Sequence, residues 1–406
     1  MFNKITVSIG VGIVILLALG GVLILRNKQP ASPGDEFASP RTFNPFGIFG
    51  DSSPLSGNSG TSSDQAFTPT EFTPALRRVA LRSASDVVLV GTGTTTQALF
   101  IERETGHVFG LDVTTGALRR ITNTTIPRIQ SASFAPNGEY VVAQYLRDDG
   151  ETTETFLGDI PLGATTTDRA LLGELLPPNI ISFAWSPDGS ELFYLNRSSS
   201  GSFGTRHSLV SGTKRALFSS PLDEWNVFWT QTNTLFLSTR ASGAASGNLF
   251  SLSTSGVLRE VVSDLLGLTA LPGSATHFVG TTGGGTVRSF LYTPNGVPTD
   301  LSVGTLAEKC GWDSSKILLV CGAPKSIPVA TLPDDWYRGT VSFEDRLWAI
   351  DSETATLVIL ADPKTYTDIP LDVVHTHVSD DGLFVMFINK TDGTPWLVDV
   401  AKVFER

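Results

Sequence analysis

Few residues of this chain combine a reactive type with a telling spacing. His375 and His377 are one residue apart, and Asp380 and Asp381 follow closely. On a regular strand that spacing points both imidazoles to one face, where they can hold a metal ion. A zinc-type site needs a third and a fourth ligand, and none stands at a recognisable spacing. The pair therefore carries two readings, a metal site or two rings packed against a neighbouring element, and the second is the expectation. No metal or other cofactor is expected. The acidic pairs Asp148-Asp149 and Asp380-Asp381 lack the alternating oxygen ligands of a calcium loop and read as solvated turns.

Two further sets of residues stand out. Cys310 and Cys321 flank a short turn between two strand-like runs, a placement that brings their side chains within disulfide range when the register is right; two buried thiols are the alternative. The stretch from Ala323 to Thr340 contains Leu332-Pro-Asp-Asp-Trp-Tyr-Arg338 in a connection far longer than its neighbours. Trp, Tyr and Arg are the residues enriched where partners bind, and long connections are usually functional. Asp334, Asp335, Trp336, Tyr337 and Arg338 are thus the candidate binding residues. The competing reading folds Trp336 and Tyr337 back as a lid and pairs Arg338 with Asp334 or Asp335. No residue is assigned a catalytic role, and the Gly-x-Ser-x-Gly nucleophile elbow of serine hydrolases is absent from the sequence.

The elements that must position these residues repeat along the chain. Ser131-Ala-Ser-Phe-Ala-Pro-Asn-Gly138 followed by Tyr140–Tyr145 is matched by Ser182-Phe-Ala-Trp-Ser-Pro-Asp-Gly189 followed by Glu191–Leu195. Each is a strand, a tight turn and a strand, because Pro presets φ, Asn or Asp bonds locally, and Gly supplies positive φ. Related turns fall near residues 94, 232, 274, 315 and 381, which makes seven repeats. The second half of each repeat is another hairpin, seen in His107–Ile121, Gly247–Arg259 and Leu347–Ile359. A period near 40 to 50 residues with four short strands and no helix after residue 26 predicts an all-β, seven-bladed β-propeller over residues 75–406. The last run, Pro395–Val400, leaves its repeat one strand short, and Ala75–Leu81 is expected to supply the missing outer strand.

The Phe-Ala-Pro-Asn-Gly and Trp-Ser-Pro-Asp-Gly turns, with the aromatic-rich strands after them, resemble the repeats of TolB-type propellers. They are also similar to the propeller that precedes the hydrolase in the dipeptidyl-peptidase family, and the layout resembles membrane-anchored propellers of candidate-phyla bacteria. The resemblance implies the fold and a binding module. It implies no activity, because propellers host many unrelated functions.

The remaining segments set the address. Residues 1–26 hold an uncharged apolar run, Ile5–Leu25, of the length that spans a bilayer, and read as a transmembrane signal anchor. Residues 27–74 are rich in Pro, Ser, Thr and Gly and read as a flexible linker, although Phe37, Phe43, Phe46, Ile48 and Phe49 leave room for a docking motif. A net charge of −11 without a basic stripe excludes nucleic acid as a partner. The expectation is a single-pass membrane protein whose C-terminal propeller is extracytoplasmic and binds protein or glycan partners in the cell envelope. An enzyme of hydrolase or lyase type with its site at the central channel, and an accessory subunit of an envelope secretion or transport complex, are the alternatives.

Overall fold

The computed structural model describes residues 74–162, 169–293, 296–314 and 317–404. The expected anchor, residues 1–26, and the linker up to residue 73 lie outside the described residues. Among the described residues no helix is long and apolar enough to cross a membrane.

Among the described residues, twenty-eight strands form seven four-stranded antiparallel sheets, the blades of a β-propeller. Blades one to six take up residues 84–120, 129–175, 180–220, 225–266, 269–301 and 310–361, each in simple up-and-down order. The seventh joins Val373–Val378, Phe384–Asn389 and Pro395–Asp399 to Leu76–Arg78 from the start of the chain. Leu76, Arg77 and Arg78 pair with Val398, Leu397 and Trp396, so the ring is closed by its own first strand. That strand is shorter than Ala75–Leu81. Leu81 is exposed and Arg82 already pairs with Glu102 of blade one, because the chain must leave blade seven there to begin the next blade.

Turn chemistry sets the repeat. At Ala135-Pro-Asn-Gly138 the Gly138 amide donates to the Ala135 carbonyl at 2.8 Å, with Gly138 at φ 72°. A Cβ there would also lie 2.7 Å from Val90 of blade one, so both the angle and the packing require glycine. Gly189 does the same work in blade three, donating to the Ser186 carbonyl at 2.9 Å with φ 73°, while Asp188 accepts from the Ser190 amide at 3.1 Å.

Both faces of each sheet are covered by the neighbouring blades, and this decides where the core lies. One apolar cluster sits between each pair of adjacent blades. Leu99, Ile101 and Val108 of blade one meet Phe134, Val141 and Phe156 of blade two, and equivalent layers follow around the ring to the contact of blades seven and one. Strands buried on two faces lose the alternation of apolar and polar residues, which is why Phe384–Asn389 is buried throughout. An eighth cluster belongs to no pair of blades. It consists of Leu306, Leu332, Trp336 and Phe343, and it is the core of the long connection in blade six. Two one-turn helices, Asp334–Tyr337 in that connection and Val400–Phe404 after the last strand, depart from the strand-only reading.

Candidate functional site

Because strands alternate in direction, the link from second to third strand lies at the same end of the ring as the links between blades. In blade six it runs from Pro324 to Asp345 and forms a strap over that end. Asp335 starts its helix by accepting from the Thr331 amide at 2.7 Å. Asp334 accepts from the Gly243 amide of blade four at 2.7 Å, and Lys390 of blade seven donates to the Trp336 carbonyl at 2.8 Å. Val287 of blade five and Val374 of blade seven pack beneath. The strap is thereby fastened to blades four, five and seven besides its own, four in all.

Its underside is held by buried charge. The Lys309 ammonium lies 2.5 Å from Asp372 and 2.7 Å from Asp345, and all three side chains are 0% exposed. The rings of Trp336 and Phe343 flank the ammonium at 5.1 and 4.9 Å, and the Trp336 indole donates to both Asp372 oxygens at 3.1 and 3.0 Å. The Phe343 amide donates to Asp372 and the Val373 amide to Asp345. Removing charge from water is costly; both oxygens of Asp372 and Oδ2 of Asp345 have donors, while Asp345 Oδ1 is buried without one. One ammonium cannot neutralise two carboxylates. Burial pushes Asp345 up to about 6 against the opposing pull of Lys309. With no access to solvent the cluster does no chemistry on a ligand; it locks the strap.

The candidate binding residues are therefore divided. Trp336 is 2% exposed and stacks on Phe343, the placement of a lid residue. Tyr337 is half-buried and its hydroxyl donates to Glu308. Arg338 is exposed and lies 3.5 Å from Asp335, while Val329, Gly339 and Thr340 form the outer surface of the strap. Lys309, Phe343, Asp345 and Asp372 are not among the residues singled out from the sequence. Their one signal in the sequence is a charge inside an apolar run, as in Leu371-Asp372-Val373.

Cys310 and Cys321 are directly opposed across the first two strands of blade six and are joined by a disulfide, with Cα atoms 4.1 Å apart. This ties down the strand that follows Lys309.

His375 and His377 both turn to the first strand of blade one. The register shifts between Val374 and His377, and His375 takes a φ of 51°, so a bulge interrupts the regular alternation assumed for the pair. His375 Nδ1 lies 3.0 Å from Asp86, and His377 Nδ1 accepts from the Leu89 amide at 3.2 Å. Both serve the contact between blades seven and one. Asp86 in turn accepts from the Phe134 amide of blade two, and Ser182 of blade three accepts from the Val227 amide of blade four, which repeats the device along the inner strands. Among the described residues no group of three or more His, Cys, Asp or Glu is placed to hold a metal ion. Asp149 and Asp381 accept from amides and hydroxyls of their own turns, which holds Asp149 down to about 2.

No protein-family model and no curated protein matches the sequence. Solved structures do. The β-propeller domain of the Trilobed protease from Pyrococcus furiosus, described with an open velcro topology, superposes at a TM-score of 0.50 and 9% identity, covering 78% of this chain and 96% of that one. An oligogalacturonate lyase in complex with manganese gives 0.55 and 11% identity over 80% of this chain and 92% of that one. TolB from Acinetobacter baumannii gives 0.41 and 11% identity over 76% and 78% of the two chains. At such identities the likeness extends to the fold alone. This chain carries a seven-bladed β-propeller closed by its first strand, similar in fold to propellers found in proteins of different activities.

Proposed function

We propose that the propeller is the extracytoplasmic head of a membrane-tethered binding protein, with residues 1–26 as its anchor and 27–74 as its tether. The head binds protein or glycan partners of the cell envelope through the strapped end. The observation that carries this reading is the division of the strap: its underside is locked by buried charge, while Val329, Arg338, Gly339 and Thr340 are left to solvent. A segment fastened to four blades presents its outer residues without losing much freedom on binding, and such preorganisation favours association. The recognition residues are accordingly Val329, Asp335, Tyr337 and Arg338, with Asp334 as a fastening and Trp336 as the base on which they rest.

An enzymatic reading has one feature in its favour. Glu308 remains accessible beside the inner strand of blade six, its carboxyl is pushed up by surrounding protein, and the Tyr337 hydroxyl meets it. An isolated acid and a phenol without a nucleophile or second acid make a poor hydrolase or lyase, so binding is preferred.

The test is crosslinking capture from native-host membranes with wild type and with Val329→Ser combined with Arg338→Ala. Both sites are exposed, so the melting temperature is expected to hold while capture falls. Capture equal to wild type refutes the strap as the recognition surface, and recovery of a multi-protein envelope assembly would favour the accessory-subunit reading.

A further inference from the structure

A cleft of about 260 Å³ opens between blades five and six, at the foot of the strap. Its walls include Ser302 and Gly304 from the link between the two blades, Lys325 and Ser326 from the first residues of the strap, and Arg346 and Trp348 from the third strand of blade six. The volume is just below the roughly 300–1,000 Å³ of small-molecule pockets, which fits a single ring better than an extended chain.

The donors are held in place yet unused. Arg346 is bonded through Nε to Asp362 at 2.9 Å, and Asp362 is fixed by Lys325 at 2.9 Å and by the Lys364 amide at 3.1 Å. Among the described residues neither Nη group of Arg346 has a hydrogen-bond partner, and neither do the hydroxyls of Ser302 and Ser326. A guanidinium clamped by one edge, with its other donors free, is preorganised for a carboxylate. The local balance is positive: Lys325, Arg346 and Lys364 face only Asp362 and Glu344, on a protein of net charge −11. Trp348 adds an aromatic surface, and the free hydroxyls supply the polar contacts that a polyhydroxylated ring requires.

We propose that this cleft binds an acidic sugar residue, with its carboxylate on Arg346 and Lys325, its ring against Trp348 and its hydroxyls on Ser302 and Ser326. The site is distinct from the outer surface of the strap, and the proposal rests on the reading above only in taking the head to be a binding module. A neutral hexose lacks the carboxylate, and a carboxylate on an aromatic body lacks the hydroxyls; each is disfavoured for its own reason.

The experiment is calorimetric titration of the full-length protein in detergent with sodium D-glucuronate, D-glucose and sodium hippurate. Saturable binding of glucuronate is expected, with glucose and hippurate each weaker by about tenfold or more, the scale of one lost charged hydrogen bond. Arg346→Gln and, separately, Lys325→Gln should weaken glucuronate by a similar factor with an unchanged melting temperature. Trp348→Phe should weaken it less, because an aromatic face is kept. Absence of saturable glucuronate binding to wild type overturns the proposal. So does hippurate binding as tightly as glucuronate, or undiminished binding by whichever charge variant melts as wild type does. Loss of capture in the strap variant with glucuronate binding intact would separate the two sites.

Discussion

Lys309 is a single ammonium between two carboxylates, all three of them fully buried, and the consequence is a measurable dependence on pH. Asp345 titrates near 6 in the folded chain against 3.8 in its ordinary state, so the native protein binds that proton more tightly than the unfolded chain. The stability this group contributes is complete below its unfolded value and is lost as pH rises through about 6. The full swing is on the order of 3 kcal/mol by linkage. Other carboxylates of the turns act oppositely at lower pH, so the comparison must be with a variant. Relative to Asp345→Asn, the wild type is expected to lose unfolding free energy between about pH 4 and 6 and to run parallel above that range. Urea titrations at a series of pH values decide it, and a constant difference between the two proteins would refute the buried, partly compensated carboxyl. Lys309→Met should cost about 3–5 kcal/mol at neutral pH, because it strands two charges in the interior. None of this was legible from the residues themselves: Lys309, Asp345 and Asp372 lie far apart in sequence, and only the crossing of the strap over blades six and seven brings them together.

At the scale of elements, two segments decide how the ring holds. The first strand, Leu76–Arg78, covers the edge of Pro395–Asp399, all of whose residues are buried. A chain beginning at Ser83 is expected to melt at a lower temperature and to aggregate through that edge, whereas one beginning at Thr73 should behave as the full head does. Equal melting of the two would overturn the closure. The strap is the second segment. Trp336→Ala removes a stacked, hydrogen-bonded ring from the centre of its core, and a loss of about 3–5 kcal/mol is expected, as for other buried aromatics. Arg338→Ala, two residues away on the outer surface, should change stability by no more than about 0.5 kcal/mol. Thermal melts of both variants test this directly. A mild effect of Trp336→Ala would return that residue to the list of recognition groups. The lid reading describes Trp336, whereas Arg338 just after the same short helix is exposed and belongs to the proposed recognition surface, a division that spacing does not reveal because neighbouring residues on a helix turn point in different directions.

For the whole molecule, the proposed arrangement of anchor, tether and head would put the propeller on an oxidising side. Alkylation of unreduced protein taken from its native host should leave Cys310 and Cys321 unlabelled, and intact mass of the membrane-fraction protein should include residues 1–26. Labelling of both cysteines would place the head in a reducing compartment. Much of the architecture was written in the chain: the seven turns, the four-strand repeat and the missing final strand are local patterns, since φ preferences and apolar runs act within a few residues of one another. The pairing of Cys310 with Cys321 was similarly accessible because both lie on one hairpin. The tertiary structure alone decided the rest. It showed that His375 and His377, on a bulged strand, are taken up by Asp86 and the Leu89 amide of blade one, that Trp336 faces inward, and that Arg346 is clamped beside free hydroxyls in a cleft between blades. Those outcomes depend on contacts between residues distant in sequence, where burial and electrostatic pairing across blades override what each segment prefers by itself.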